Sequence, residues 1–334
     1  MKEELDFIVI GAQKAGTTSL FEYLRRHPEI GLPAGKEAPY FSHDGVYELG
    51  WRDFMAKAAF VDETRKWGTV TPHYMVGGVY EPSPTRSLSE DRYDERTIPL
   101  RIREQLPDVR IVAILRDPVE RARSHYNMAV MNGFEQRSFD VAIGELLEQP
   151  LLERSRETPE ETTGYVTWGE YGRILAGYRD VFPADQVLVV FTDELENAPE
   201  LLLRRVHEFI GVASDFVPDN LGMKYRAGGT ERRIAWMSPY HSTSPQGVQR
   251  IVTRSTAARA LWHRLPTRGR LRLKRGYEHF GYRVDLWNRR GGKQENGTSP
   301  EIVDRLGRHF AEETEQLTAL LGVVPPWIVR AGSI

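Results

Sequence analysis

Two short stretches of this chain hold the residue types that anion chemistry needs. The first, Gly11-Ala12-Gln13-Lys14-Ala15-Gly16-Thr17-Thr18, follows directly on the apolar run at 7–10. A bound phosphate calls for backbone N–H groups turned inward, a helix N-terminus and a cation. A glycine-bordered turn between strand and helix offers the first two, and Lys14 the third. The Gly11-to-Gly16 spacing is that of the nucleoside triphosphate loop G-x-x-x-x-G-K-[ST], but Thr17 stands in the lysine position and the lysine has moved into the loop. In kinases the displaced lysine reaches the β- and γ-phosphates and the next hydroxyl holds Mg²⁺, so a different anhydride donor is expected here. The second stretch, 111–126, puts Arg116 at the end of another apolar run and Ser124 on the helix opened by Asp117 and Pro118. A guanidinium can grip a phosphomonoester of about −1.5 to −2 charge through two hydrogen bonds, and Ser124 can add a hydroxyl donor. The competing use of Arg116 is a helix-start ion pair with Asp117 or Glu120.

The elements that must position these groups can be read from periodicity. Short apolar runs at 7–10, 109–115 and 187–191 have the look of fully buried strands, each followed by a helical pattern. That rhythm predicts an α/β domain with a parallel sheet. Helices are predicted over 17–26, from Pro118 onward, through Tyr171, Ile174, Leu175 and Tyr178, through Leu202, Val206, Phe209 and Ile210 with Gly211 as the stop, and from Ser299-Pro300 through Leu321. Residues 77–97, rich in Gly, Pro, Ser and charge, read as a long loop excursion.

Length and composition set the outer bounds. At 334 residues the chain can bury a full core, and with no repeat or linker it reads as a single domain over 1–334. Forty-five Lys and Arg against 47 Asp and Glu leave a net charge of −2, so no nucleic-acid partner is expected and any anion site must be built locally. The absence of cysteine removes disulfides and thiolate chemistry. No apolar run approaches the roughly 18 residues of a membrane span and no leader-like start is visible, so the chain is expected to be cytoplasmic. The exception to neutrality is 250–290, where twelve Arg and Lys meet only Glu278 and Asp285, interleaved with Trp262, Tyr277, Phe280, Tyr282 and Trp287. This span, within a basic helical insertion at about 235–295, suits an anionic or aromatic acceptor or a membrane surface, or merely offsets the acidic stretch at 145–161.

The two anion motifs, in this order and on these elements, resemble those of sulfotransferases that use 3′-phosphoadenosine 5′-phosphosulfate (PAPS), the P-loop-like family that includes heparan sulfate enzymes. The resemblance implies a three-layer P-loop NTPase-like fold, with a central parallel sheet flanked by helices. It implies that Gln13, Lys14, Ala15, Gly16, Thr17 and Thr18 form the 5′-phosphosulfate loop and that Arg116 and Ser124 hold the 3′-phosphate. Residues 219–233 fall where the family places a loop over the donor, making Lys224, Arg226 and Arg232 further candidate phosphate contacts. Lys36-Glu37-Ala38-Pro39-Tyr40-Phe41 is similar to the family's K-E-x-x-Y-F segment, whose glutamate is the general base in the heparan sulfate branch, and this singles out Glu37. Thr71-Pro72-His73-Tyr74 matches its T-P-x-Y segment, but Thr69-Val70 precedes it where relatives carry charge, so a second catalytic lysine is missing. His73 is the substitute candidate, because an imidazole titrates in the useful range.

The expectation is therefore an O-sulfotransferase. Lys14, Glu37 and His73 are its catalytic candidates, PAPS its co-substrate and adenosine 3′,5′-bisphosphate (PAP) its product. No metal is expected, and the hydroxyl acceptor, small molecule or saccharide, is left open. Two alternatives stand beside it: a Mg-dependent small-molecule phosphotransferase, and a non-catalytic nucleotide- or polyanion-binding protein.

Overall fold

The computed structural model describes residues 4–33, 35–58, 65–80, 94–223, 225, 231–232, 289–290 and 298–331. The chain divides into two compact units, one formed by 1–228 with 296–334 and the other by 229–295.

In the larger unit five strands form one parallel sheet: β1 (Phe7–Gly11), β2 (Ile30–Gly31), β3 (Lys66–Val70), β4 (Arg110–Leu115) and β5 (Val187–Phe191), in the order β2-β3-β1-β4-β5. The three strands expected from apolar runs are present. The other two escaped because β2 is only two residues long and β3 reads Lys-Trp-Gly-Thr-Val, broken by glycine at the point where the Phe7 ring lies against it. Central parallel strands are covered on both faces, which is why β1 and β4 are apolar without alternation. Ile8, Ile10, Ile111, Ala113 and Leu115 enter one core with Tyr171, Ile174 and Tyr178. Phe7, Val9, Val112 and Ile114 enter the other with Leu20, Leu24, Leu202 and Val206. Helices thus flank a central sheet, as expected of this α/β class.

The predicted helices appear as Thr17–Leu24, Pro118–Asn132, Tyr171–Val181, Pro199–Ile210 and Pro300–Leu321. Asp117 accepts from Val119 and Glu120 N–H at 2.9 and 3.2 Å, and Ser299 from Ile302 N–H at 3.3 Å, so both caps act as the sequence suggests. Gly211 ends its helix at φ 81°. The acidic stretch is structured too. Phe139–Leu146, Gln149–Glu157 and Gly164–Thr167 are helices that build a third core with Tyr126, Tyr165, Leu306 and Phe310.

The expected excursion at 77–97 is only partly such: Gly77, Gly78 and Val79 are buried, Thr97 opens the helix Thr97–Gln105, and 81–93 lie outside the described residues. In the second unit, Glu231–Arg232 pairs antiparallel with Arg289–Arg290. Arg232 is therefore in a strand instead of a loop, and the Arg289–Arg290 end of the proposed helical insertion is also strand. The rest of that basic span lies outside the described residues.

Candidate active site

The site lies at the C-terminal edge of the sheet. There the chain leaves β1 for one face while its neighbours β3 and β4 lie on either side, the usual place for a ligand crevice in an open parallel sheet. Four strand ends contribute. Ala12 N–H donates to Ile114 O at 2.7 Å, and Thr71 N–H donates to Val9 O at 2.9 Å. The Thr192 hydroxyl, just past β5, lies 2.7 Å from Ala15 O and 3.0 Å from Leu115 O. The glycine loop is thereby tied to β4 and to the end of β5, and the strand that feeds it to the β3 exit.

Within the loop the backbone turns left-handed twice, at Lys14 (φ 69°) and at Gly16 (φ 95°). A Cβ on Gly16 would approach the Leu195 side chain to 3.0 Å, so glycine is required there for both reasons. A lysine held at positive φ is a local strain of the kind found at functional sites. Here it turns the Lys14 carbonyl toward Arg116, whose Nη1 lies 3.5 Å away. Gln13, Lys14 and Thr18 are half-buried, Ala15 is buried, and Gly16 caps the Thr17–Leu24 helix, whose free N–H groups face the loop. Among the described residues the loop is a cradle with a cation beside it, fitted to an anion.

Arg116 keeps a side-chain exposure of 32% and also pairs with Glu120 at 3.4 Å, the competing contact the sequence suggested. An exposed i,i+4 pair contributes only about 0.3–0.5 kcal/mol and releases its arginine readily. Ser124 is half-buried two turns further along the same helix. Lys224 and Arg226 lie outside the described residues.

The Lys36–Phe41 segment is fastened to the Thr71–Tyr74 turn. Thr71 Oγ1 accepts from Ala38 N–H at 3.0 Å, and the Tyr74 hydroxyl donates to Ala38 O. Burial drives the Tyr74 hydroxyl pKa far up, so it remains a donor. Lys36 Nζ reaches Thr17 Oγ1 at 3.2 Å and Glu37 Oε1 at 3.3 Å, which sets Glu37 at the margin of the loop with its side chain 41% exposed. Sequence reading passed over Lys36 as a loop contact, although it is the residue next to the one chosen. His73 stacks on Tyr80, with ring centroids 4.2 Å apart and planes 9° apart, and Trp168 meets both edge-on at about 6 Å.

With this geometry in place, comparison with known proteins is decisive for the family. The family model for the sulfotransferase domain matches residues 4–222. The chain belongs to the sulfotransferase domain family. It is 28% identical over 206 residues to heparan sulfate glucosamine 3-O-sulfotransferase 3B1 of Mus musculus, a match covering 61% of this chain and 45% of that protein. It is 24% identical over 213 residues to bifunctional heparan sulfate N-deacetylase/N-sulfotransferase 2 of Homo sapiens, covering 62% of this chain and 22% of that one. The chain thus spans less than half the length of these curated relatives. Among solved structures, a sulfotransferase from Alicyclobacillus acidocaldarius aligns with a TM-score of 0.53 and 26% identity, over 80% of this chain and 99% of the other.

One feature of this sulfotransferase domain had no signal in the sequence. Glu161, the last residue of the acidic stretch, accepts from Gln13 Nε2 at 2.9 Å. His125 lies fully buried behind it, stacked on Trp168 at 4.8 Å. Burial pushes the His125 pKa down to about 4, against the opposing pull of Glu161. His207, buried against His27, is also pushed down to about 4. Both imidazoles fold neutral, whereas the unfolded chain takes up their protons near pH 6.5. Stability is therefore complete above about pH 6.5 and falls as pH drops from there toward 4, by up to about 3 kcal/mol for each residue. Urea melts between pH 7.5 and 4.5 check this. His207→Leu should flatten the dependence, and an unchanged slope in that variant would discount its share.

Proposed function

We propose that this chain transfers a sulfuryl group from PAPS to a hydroxyl group, with Lys14 and Glu37 as its principal catalytic residues. The observation that carries the reading is the loop from Gly11 to Gly16, closed by left-handed turns at Lys14 and Gly16 and approached by Arg116 at the Lys14 carbonyl. Matching curated relatives that are named as sulfotransferases support the chemistry, and their names suggest a saccharide as the acceptor. When bound, the donor supplies a sulfuryl group already activated as a mixed anhydride.

The residues of this chain would divide the work as follows. Loop N–H groups, Thr17 and Thr18 hold the 5′ side, and Arg116 with Ser124 holds the 3′-phosphate. Lys14 places its ammonium against the negative charge that gathers on the departing phosphate oxygen. Glu37 takes the proton of the acceptor hydroxyl, leaving that oxygen free to bond to sulfur. Its neighbour Lys36, bridging to Thr17, keeps this carboxylate beside the loop. His73, fixed by its stack on Tyr80, lines the acceptor side. Among the described residues no group of three or more His, Asp and Glu could hold a metal ion, and the reading assigns no role to one.

The test is a thermal-shift titration with PAP beside AMP and ATP, each with and without Mg²⁺. The expected result is selective stabilisation by PAP that is indifferent to Mg²⁺. Stabilisation by ATP only with Mg²⁺ would overturn it in favour of phosphoryl transfer. Arg116→Ala should weaken PAP about 10- to 100-fold while leaving AMP within about twofold, since a charge-assisted bond to the 3′-phosphate is worth roughly 1.5–3 kcal/mol. Equal losses for the two nucleotides would remove Arg116 from that role.

A further inference from the structure

We propose that Glu161 is a positioning residue of the anion site: it holds Gln13, and through Gln13 the Lys14 turn, at the half-buried end of a polar chain running Arg121–His125–Glu161–Gln13. The ligand used to test this rests on the donor reading above; the chain of contacts does not.

The chain can be followed atom by atom. Arg121 and His125 are both 0% exposed. Arg121 Nη2 donates to Gly164 O at 3.3 Å and to Tyr165 O, anchoring it to the Gly164–Thr167 helix. Its Nη1 lies 3.4 Å from His125 Nδ1. A guanidinium has no acceptor, so Nδ1 must present its lone pair and the ring proton must sit on Nε2. Nε2 lies 3.7 Å from Glu161 Oε1, an electrostatic approach longer than a hydrogen bond, and that same oxygen accepts from Gln13 Nε2 at 2.9 Å. The carboxylate also settles the Gln13 amide, because only its NH₂ end can face a carboxylate oxygen. Each proton position in the chain is thus set by the group before it.

Several observations separate this from a chance surface contact. Gln13 and Glu161 are 148 residues apart, and Gln13 immediately precedes the strained Lys14. Burial alone would raise the Glu161 pKa, yet His125, His73 and Gln13 hold it below its ordinary value, so the group is a carboxylate in the working range. A carboxylate beside an anion loop opposes anion binding through space, so charge alone does not account for one held there. Holding the loop in shape does. Moreover, His125 Nε2, Glu161 Oε2 and Gln13 Oε1 are buried and have no hydrogen-bond partner among the described residues, so this chain retains little slack with which to replace a lost member.

The experiment is calorimetric binding of PAP and of AMP, below the melting temperature, to wild type, Glu161→Ala, Glu161→Gln, Gln13→Ala and the Gln13→Ala/Glu161→Ala double variant. Positioning predicts that Glu161→Ala weakens both nucleotides about tenfold, because both use the 5′ loop. It further predicts that the double variant is no worse than either single one. Glu161→Gln, which still accepts from Gln13 but lacks the charge, should bind both at least as tightly as wild type. A merely structural glutamate would lower the melting temperature without this pattern. Unchanged affinity in Glu161→Ala, or losses that multiply in the double variant, would overturn the proposal. So would tighter binding by Glu161→Ala and Glu161→Gln alike, which would mark simple repulsion. Should Glu161→Ala fail to fold, Glu161→Asp, one methylene short of Gln13, is read in its place. A wild type that binds neither nucleotide is a separate outcome and overturns the donor reading itself.

Discussion

Replacing Glu170 with alanine should lower the unfolding free energy by roughly 3–5 kcal/mol, the largest loss expected of any single substitution outside the sheet. Glu170 is fully buried and is the common hydrogen-bond acceptor for two arginines and a histidine. Arg156 reaches it through Nε at 2.9 Å and Nη2 at 2.7 Å, Arg173 through Nε at 2.8 Å, and His309 through Nε2 at 3.0 Å. These partners come from the helices Gln149–Glu157, Tyr171–Val181 and Pro300–Leu321, so one carboxylate joins three elements, the last of them 139 residues away in sequence. Against the desolvation that would raise it, this company holds the Glu170 pKa at about 2. Alanine would leave Arg156, Arg173 and His309 around an uncompensated gap. With total stability of about 5–15 kcal/mol, that is a large fraction of the whole. Urea unfolding is the measurement, and a loss below about 1 kcal/mol would mean that the partners simply turn to water. Glu170→Gln, which keeps the shape but not the charge, should fall between.

For Glu37→Gln we expect turnover to fall about 10²- to 10⁴-fold with PAP affinity unchanged within about twofold. The geometry separates the two quantities. Among the described residues the Glu37 carboxylate bonds to Lys36, whereas the hydrogen bond to Thr17 is made by Lys36 itself. The amide keeps the size and hydrogen-bonding reach of the carboxylate but cannot accept a proton. Transfer of labelled sulfuryl groups to an acceptor returned by a screen of hydroxyl compounds gives the rate, and calorimetry the affinity. Full turnover in Glu37→Gln would pass the base to His73, and His73→Asn would then carry the loss.

What the sequence reveals and conceals here has a physical pattern. β1 and β4 were legible because a strand buried on both faces must be apolar throughout, β5 because its run Val-Leu-Val-Val-Phe is apolar even at the sheet edge, and the capped helices because Asp117-Pro118 and Ser299-Pro300 act within three residues of themselves. β2 and β3 were not, since their strand state depends on partners: Trp67 and Gly68 pack on residues far away in sequence. The same division runs through the site. Gly11, Lys14, Gly16 and Arg116 announce themselves because turn geometry and charge are local properties. Lys36 and Glu161 act only through where the fold delivers them, and nothing about a lysine beside a glutamate, or the last glutamate of an acidic run, distinguishes them beforehand. Nor did the polar stretch at 77–97 reveal that Gly77, Gly78 and Val79 would be buried or that Tyr80 would stack on His73.

The bond from the Thr192 hydroxyl to Ala15 and Leu115 has a consequence for how this protein can diversify. The groups assigned to the nucleotide stand on the ends of β1 and β4, and Thr192 past β5 braces them. The rings facing the other way, His73, Tyr80 and Trp168, come from the β3 exit and from the end of the helix Gly164–Thr167. That brace does not run through the stacked rings of His73 and Tyr80, so substitutions there can reshape the acceptor side while the Thr192 fastening of the loop stays in place.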